Sequence, residues 1–475
     1  MIEIETIPGS TRKPGVYAEF NTRMATRSLP GNLQRMLIIA PMSGAGADAG
    51  VQAKALELHD VFSDDEAAVL FGRGSLAHIM AVSALKANRY LQLQAIGMAE
   101  LPTAKPATAD IALTGPATQS GTLTVWVANT RIDAPVQAGD SAQAISRALL
   151  DAVSRQGALP VTAQMATGDS GVTLTARHGG EWGNDIRLSG RTTAPGVTVT
   201  VNAMRGGENN ASVRDALTAV FAAGHQVIAV PWTDETTLRA LREHLTATGD
   251  AMEKRGAVGV AGWAGTLATG TTLAGRSNDG RTTVGWHPGS VCLQAEIAAG
   301  YAAVIASEED PARPYNDLEI VGLDVTPLTS RAGRREQENA LHNGLAPLEV
   351  GPGDKVQIVR AISTYTKSAN GTDDPALLDI TTMRTLDYAR KAWCDRIALR
   401  YPRDKATERN RRGVRSELLD VALKLEEEEI IENVTAMKDA LIVDKGEEPG
   451  TFRAQIPCQV VKGLHVIEAR IDLYL

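Results

Sequence analysis

Between residues 211 and 306 helical and strand-like segments alternate without interruption, and this alternation constrains the fold more than any other feature of the 475-residue chain. Helical patterning over 211–223 precedes the apolar run "QVIAVP" (226–231), and helix 234–248 precedes "GAVGVAG" (256–262). A helical stretch near 264–275 precedes "TTVGWH" (282–287), and helix 291–306 follows. Short apolar runs separated by whole helices cannot pair as hairpins. They predict a largely parallel sheet, because each crossover helix packs on a face of the sheet and buries it. "RMLIIAP" (35–41), a helix from Ala77 to Leu91 and "LQAIGM" (93–98) carry the same pattern nearer the start.

Two regions break the pattern. Residues 103–205 open on the linker "LPTAKPATAD" and carry alternating Thr- and Val-rich runs, "GTLTVWVA" (121–128), "GVTLTARH" (171–178) and "GVTVTVNAM" (196–204), around one helix at Ser141–Arg155. Period-2 runs of this length predict a mostly β domain inserted in the body, exiting by the turn "GGENN" (206–210) and facing outward through its Thr-rich strands. Farther on, "GDKVQIVRAIST" (353–364) predicts a strand, Asp374–Arg400 and Arg415–Ala440 two helices, and "FRAQIPCQVV" (452–461) another strand, together a small α+β domain. The expected fold class is α/β and multidomain: an N-terminal arm (1–30), a first body part (31–102), the insert (103–205), a second body part (206–350), the α+β domain (351–463) and a C-terminal strand arm (464–475).

The two arms are the unusual part. In "GLHVIEARIDLYL" (463–475) Ile467, Ala469, Ile471 and Leu473 alternate with Glu468, Arg470, Asp472 and Tyr474, the pattern of a half-buried strand. "IEIETI" (2–7) alternates too, and "GVYAEFN" (15–21) sets Val16, Ala18 and Phe20 on one face. Such segments either pair within their own subunit or add to the sheet of a neighbouring copy, where backbone hydrogen bonds supply affinity and side-chain pockets supply register.

Charge and chemistry exclude several classes. A formal net charge of −8 and an aromatic share of 4% argue against nucleic acid, which needs a basic surface and stacking rings. No stretch approaches 18 uninterrupted apolar residues, so no membrane span is expected, and the start lacks the basic and apolar regions of a signal peptide. Cys292, Cys394 and Cys458 fit no zinc or redox spacing, and a reducing cytoplasm is the expected compartment. The eight histidines form no metal-binding pair, so neither metal nor cofactor is expected.

Three motifs suggest catalysis and each has a plainer account. Gly168-Asp169-Ser170-Gly171 resembles a serine-protease nucleophile motif, but no histidine motif accompanies it, and a tight hairpin turn explains it. "LFGRGSLAH" (70–78) has the glycine spacing of a dinucleotide loop, yet Ser63 and three acids begin a helix before it, so a helix–turn–helix is expected, with Gly72 ending one helix and Ser75 capping the next. His287 in "GWHPGS" is expected to pack at a strand end. The acidic run 426–429 is expected to be a solvated helix face. Arg400, Arg403, Lys405, Arg409, Arg411, Arg412 and Arg415 against Asp404 and Glu408 make either a docking patch or a solvated loop.

"KPGVYAEFN", "DDEAAVLFGRGSLAHIM" (64–80), "EEDPARPYNDLEIVGL" (308–323), "RTLDYARKAWCDRIALRYPR" (384–403) and the terminal "VIEARIDLYL", in that order, resemble the contractile tail sheath proteins of myophages, particularly the Mu-like type. The resemblance implies a structural, non-enzymatic subunit of stacked six-fold rings around an inner tube, shortening to drive that tube through a host envelope. Implied partners are further copies, the tube protein, the baseplate and the tail terminator, with no nucleic acid and no membrane. The implied setting is a virion tail assembled in the host cytoplasm.

The family's arms insert into the C-terminal domain sheets of adjacent subunits. Carried over, Val16–Asn21 and Val466–Leu475 are the exchanged strands, including Val16, Ala18, Phe20, Val466, Ile467, Ala469, Ile471 and Leu473. The receiving sheet contains Val356, Ile358 and Val359 together with Ile456 and Val460, with hinges at Gly15 and Gly463. The resemblance also makes Arg403, Arg409, Arg411 and Arg412 candidate contacts to the tube, since the family's C-terminal domain lines the inner surface of the sheath. A bacteriocin or secretion-apparatus sheath is the alternative within this class. Outside it stands an α/β nucleotide-binding enzyme using the crevice at the strand ends, which leaves the arms unexplained.

Overall fold

The computed structural model describes residue 15 and residues 29–43, 51–168 and 170–474. Val16, Ala18 and Phe20, expected on the N-terminal strand, lie outside them, as does Asp169. Two compact units are present: a larger one of Asn32–Asp387 with the chain from Lys462 onward, and a smaller one of Tyr388–Val461 with the described residues before Asn32.

The larger unit begins with β1 (Arg35–Pro41), β2 (Leu58–Asp60), α1 (Asp64–Phe71), α2 (Leu76–Ala87) and β3 (Gln92–Met98). Next come β4 (Thr108–Thr114), β5 (Gly121–Val127), β6 (Thr130–Val136), α3 (Ala142–Arg155), β7 (Val161–Met165), β8 (Gly171–Ala176), β9 (Leu188–Thr192) and β10 (Thr198–Val201). The alternation then resumes through α4 (Arg214–Ala219), β11 (Val227–Ala229), α5 (Glu235–Thr248), β12 (Val258–Trp263), α6 (Leu267–Ser277), β13 (Thr282–Trp286) and α7 (Gln294–Ile305). α8 (Arg334–His342), β14 (Ala346–Gly351) and β15 (Lys355–Ile358) follow, and α9 (Ile380–Arg400) starts in this unit.

One eight-stranded sheet, in the order β15-β14-β13-β12-β11-β1-β3-β2, forms the body. Its central strands, from β14 to β3, are parallel, and only β15 and β2 run antiparallel to their neighbours. All five residues of β13 and all but the first of β1 are buried, as expected of strands covered on both faces. Polar side chains fix the helix starts: Asp234 caps α5, Thr266 caps α6 and Ser141 caps α3, each accepting a backbone N–H three residues on.

Residues 108–201 build two antiparallel sheets, β10-β4-β8-β7 and β6-β5-β9. β4 buries Ala109, Ile111 and Leu113 and exposes the residues between, and α3 buries Ile145, Leu149 and Val153. The unit boundary falls at Asp387–Tyr388, inside α9, not at 351. β15 stays with the larger unit because it pairs with β14, and Asp387 because its carboxylate forms a two-pronged ion pair with Arg281, one prong at 2.9 Å.

In the smaller unit α9 continues, followed by α10 (Glu408–Glu427), β16 (Ile431–Glu432), α11 (Val434–Met437), β17 (Ile442–Lys445), β18 (Phe452–Gln455) and β19 (Gln459–Val460). The helix expected over 415–440 starts earlier, where Thr407 caps it, and ends before Glu429, whose φ of 56° is left-handed. The strand expected over 452–461 is two strands with different partners, since Pro457 cannot continue a ladder: β18 pairs with β17, and β19 with β16. The helix expected from Asp374 begins at Ile380.

Candidate functional site

Residues 462–474 join no strand ladder among the described residues. Their aliphatic side chains stand in solvent: Val466, Ile467, Ile471 and Leu473 are 71%, 79%, 95% and 83% exposed, and Ala469 is exposed as well. Covering each of the larger ones would be worth about 1.5–3 kcal/mol. Gly463, the expected hinge, is closely approached, since a Cβ there would meet Pro314 and the His465 ring at 3.0 Å and those side chains would have to shift by a few tenths of an ångström.

The expected receiving residues do not share one sheet. Val356 and Ile358 lie on β15, and the outer edge of that strand is already closed by residues 317–320 of its own chain. Ile320 N–H donates to the Val356 carbonyl (2.8 Å), Ile358 N–H to the Leu318 carbonyl (3.0 Å) and Asp317 N–H to the Ile358 carbonyl (2.9 Å). Val359 N–H donates to the Pro347 carbonyl. Val460 belongs instead to the ladder β16–β19, and Ile456 follows the hairpin β17–β18 and packs against Leu418, Leu441 and Val443. Among the described residues both ladders of the smaller unit have two strands, too few for a sheet to be stable by itself. The described residues 29–31 sit on the same unit, where Tyr388 Oη donates to the Pro30 carbonyl and Lys391 Nζ to the Gly31 carbonyl, both at 2.8 Å.

The basic run spans the end of α9, a non-helical connection at 401–407 that carries Arg403 and Lys405, and the first turns of α10. Arg403, Arg409 and Arg412 are exposed, but Arg411 pairs with Glu408 (2.6 Å) and donates to the Val443 carbonyl, and Arg415 donates to the Leu441 and Lys438 carbonyls at 2.8 Å. Two of the arginines therefore fasten β17 and the turn before it onto α10.

The crevice at the carboxyl ends of β11, β12 and β13 holds a cavity of about 560 Å³. Glu181, Asp185 and Asp234 line it against the single basic residue Arg187, a poor setting for phosphates. Behind it, Ser290 Oγ donates to the Asp324 carboxylate, and His287 Nε2 meets the Asp324 carbonyl oxygen at 2.8 Å. Ser290 is thus bonded to the acid and has no base. Burial depresses the His287 pKa against the opposing pull of Asp324, and burial with Glu296 and Asp324 pushes the Cys292 thiol up, so neither is an activated group. The Gly72–Gly74 turn joins α1 to α2 as expected, and a Cβ at Gly74 would strike Arg177 and the Leu159 carbonyl, so it packs against protein and cradles no phosphate.

Comparison with known proteins decides the family. Residues 206–364 match the phage tail sheath protein central domain, and residues 372–473 the phage tail sheath C-terminal domain. The chain is 30% identical, over 94% of its own length and 93% of the other's, to the Mu-like prophage FluMu tail sheath protein of Haemophilus influenzae. The chain belongs to the phage tail sheath family.

The sheath fold is shared more widely. A sheath tail protein from Listeria innocua, 14% identical, matches with a TM-score of 0.51 over 93% of this chain and 94% of its own. The contracted PVC sheath of an extracellular contractile injection system, 9% identical, matches with 0.50 over 97% and 98%. In this sheath chain the two motifs at 308–323 and 384–403 meet physically. Arg384 is buried, donates to the Glu308 carbonyl at 2.6 Å and lies 5.5 Å over the Tyr315 ring. Sequence reasoning quoted both motifs without giving Arg384 a role. It also passed over His465, which Asn316 and Asp379 flank, because their separation along the chain leaves no local signal.

Proposed function

We propose that this chain is the repeating subunit of a contractile tail sheath that assembles as six-fold rings around an inner tube and shortens to drive the tube through a host envelope. The observation that carries this is the exposed alternating segment 466–473, which among the described residues belongs to no ladder while the smaller unit offers two-stranded ladders. Exchange of this segment, and of Val16–Asn21, into a neighbour's hairpin β17–β18 or ladder β16–β19 would bury the aliphatic faces and complete those sheets. Ile456 and Val460 remain in the proposed receiving set; Val356, Ile358 and Val359 leave it, because their edge is closed.

Two exchanged strands per subunit make the linkage multivalent, so that weaker contacts between bodies break and re-form while the mesh persists. Contraction is then a passage between two packings of rigid bodies on compliant arms, with Gly15 and the exposed chain from Val466 onward giving compliance, while Gly463, expected as a hinge, is packed against Pro314 and His465. The tube, the baseplate and the tail terminator are the proposed partners, the virion tail the proposed location, and assembly in the host cytoplasm the proposed route. Exposed Arg403, Arg409 and Arg412 are proposed to face the tube. The function requires no catalytic centre, and the acidic crevice gives the nucleotide-binding alternative no support. The test is negative-stain electron microscopy of the full chain beside a chain truncated before Val466. Cylinders or rings from the first and monomers from the second are expected; compact monomers from both would sink strand exchange.

A further inference from the structure

Residues 462–474 are not uniformly exposed. Within this stretch His465 is half-buried, and its ring enters a cluster on the larger unit. The Asn316 side-chain amide meets His465 Nδ1 with its nitrogen at 3.0 Å and its oxygen at 3.2 Å, and His465 Nε2 lies 3.5 Å from Asp379 Oδ1, within ion-pair range though too long for a hydrogen bond. Asp379 is itself held by Arg360, whose Nε and a terminal nitrogen donate to its two oxygens at 2.8 and 2.9 Å. Only 7% of the Asp379 side chain is exposed. A bidentate, nearly buried arginine–carboxylate pair is a rigid acceptor and fixes where the imidazole sits. Gly463, two residues earlier, lies flat against Pro314 and the same imidazole.

We infer that Asn316, Asp379 and Arg360 form a built seat for His465 that pins the root of the C-terminal arm to its own body, so that only residues 466–474 are exchanged. This rests on the strand-exchange proposal for its use in assembly, but the seat is a property of the single chain. It limits geometry: at about 3.3 Å per residue the free part reaches about 30 Å, so the receiving ladder of the neighbour lies within that distance of His465. It also gives His465 a positioning role, since a pinned root raises the effective concentration of the arm at the neighbour's ladder.

Trypsin acting on the dilute, unassembled full chain separates the seat from the arm, because Lys462 lies at the root and Arg470 in the free part. Cleavage after Arg470 is expected at once, and cleavage after Lys462 about tenfold more slowly, since it needs the seat to open. His465→Ala leaves the Arg360–Asp379 pair intact and should bring the two rates together without changing the melting temperature. His465→Gln, which still meets Asn316, should recover part of the protection. Equal rates in the native chain, or slow cleavage after Lys462 persisting in His465→Ala, would overturn the seat. In assembly His465→Ala should raise the critical concentration about fivefold; an unchanged value with protection lost would overturn its positioning role. If native chains fail to assemble at all, strand exchange falls while the cleavage pattern still decides the seat.

Discussion

Two stretches of this molecule carry apolar strand sequence at an edge, and the chain treats them in opposite ways. The outer edge of β15 is closed by residues 317–320, which take up its backbone hydrogen bonds and leave Val356 and Ile358 buried. Among the described residues the segment 466–474 has no partner strand, and its aliphatic side chains are exposed. A large parallel sheet with an open edge would pair with anything extended, which is a route to aggregation. With that edge closed, residues 466–473 are left among the described residues with strand-like sequence and uncovered aliphatic side chains.

The contrast breaks most visibly at the open segment. Ile471→Asp with Leu473→Asp should remove about 3–6 kcal/mol of apolar burial from each exchanged strand and abolish assembly, seen as loss of sedimenting polymer. The melting temperature of the unassembled chain should not move, because both side chains are already exposed. A lowered melting temperature would mean that the segment is covered at home, and the contrast would collapse.

Opening the closed edge is the converse experiment. Ile320 is buried and donates its N–H to Val356, so Ile320→Pro removes a donor and a core side chain together. About 3–5 kcal/mol of stability should be lost in urea unfolding, and the chain should form irregular aggregates instead of ordered cylinders. Ordered cylinders at native stability would show that the 317–320 cover is dispensable.

Acid offers a way to weaken the body and leave the segment alone. His225 is buried against Gln94, and burial, with the charges of Arg35 and His244, lowers its pKa to about 4. The unfolded value is near 6.5, so the folded state resists protonation: this stability is fully present above pH 6.5 and is lost as pH falls towards 4. The native chain should lose about 3 kcal/mol through His225 over that window, and His225→Gln, compared by urea unfolding at pH 7 and pH 4.5, should lose correspondingly less. Equal losses in the two chains would remove His225 from the account.

The parallel body was legible in the sequence because buried strands and their crossover helices each leave a periodic mark, and the α1–α2 turn because Ser63, Gly72 and Ser75 are capping residues with local partners. The alternation at 466–473 is plain in the sequence, but the single chain forms no strand there and exposes both faces. The cover over β15 was not: residues 317–320 form an irregular segment paired with a strand far along the chain, and only the fold brings the two together. Two misjudged boundaries did have signals. Pro457 should have split 452–461, and Thr407-Glu408 should have started α10 inside the basic run, where charge drew attention away from the cap.

The smallest expected effect lies at the junction of the two regions, where closed body and open segment meet at Asp379. Burial alone would raise its pKa, but His465 and Arg360 outweigh burial and hold it down to about 2. Because the folded value is depressed below the ordinary 3.8, the carboxylate contributes stability that is present above pH 4 and is lost as pH falls through 2. The size is about 2 kcal/mol, and Asp379→Asn should lack that acid limb in unfolding curves taken between pH 4 and pH 2. His465→Ala should retain most of it, because Arg360 makes the two hydrogen bonds and His465 stands at ion-pair distance. Loss of the whole limb in His465→Ala would instead make the imidazole the main partner, and the root of the arm part of the body's own stability.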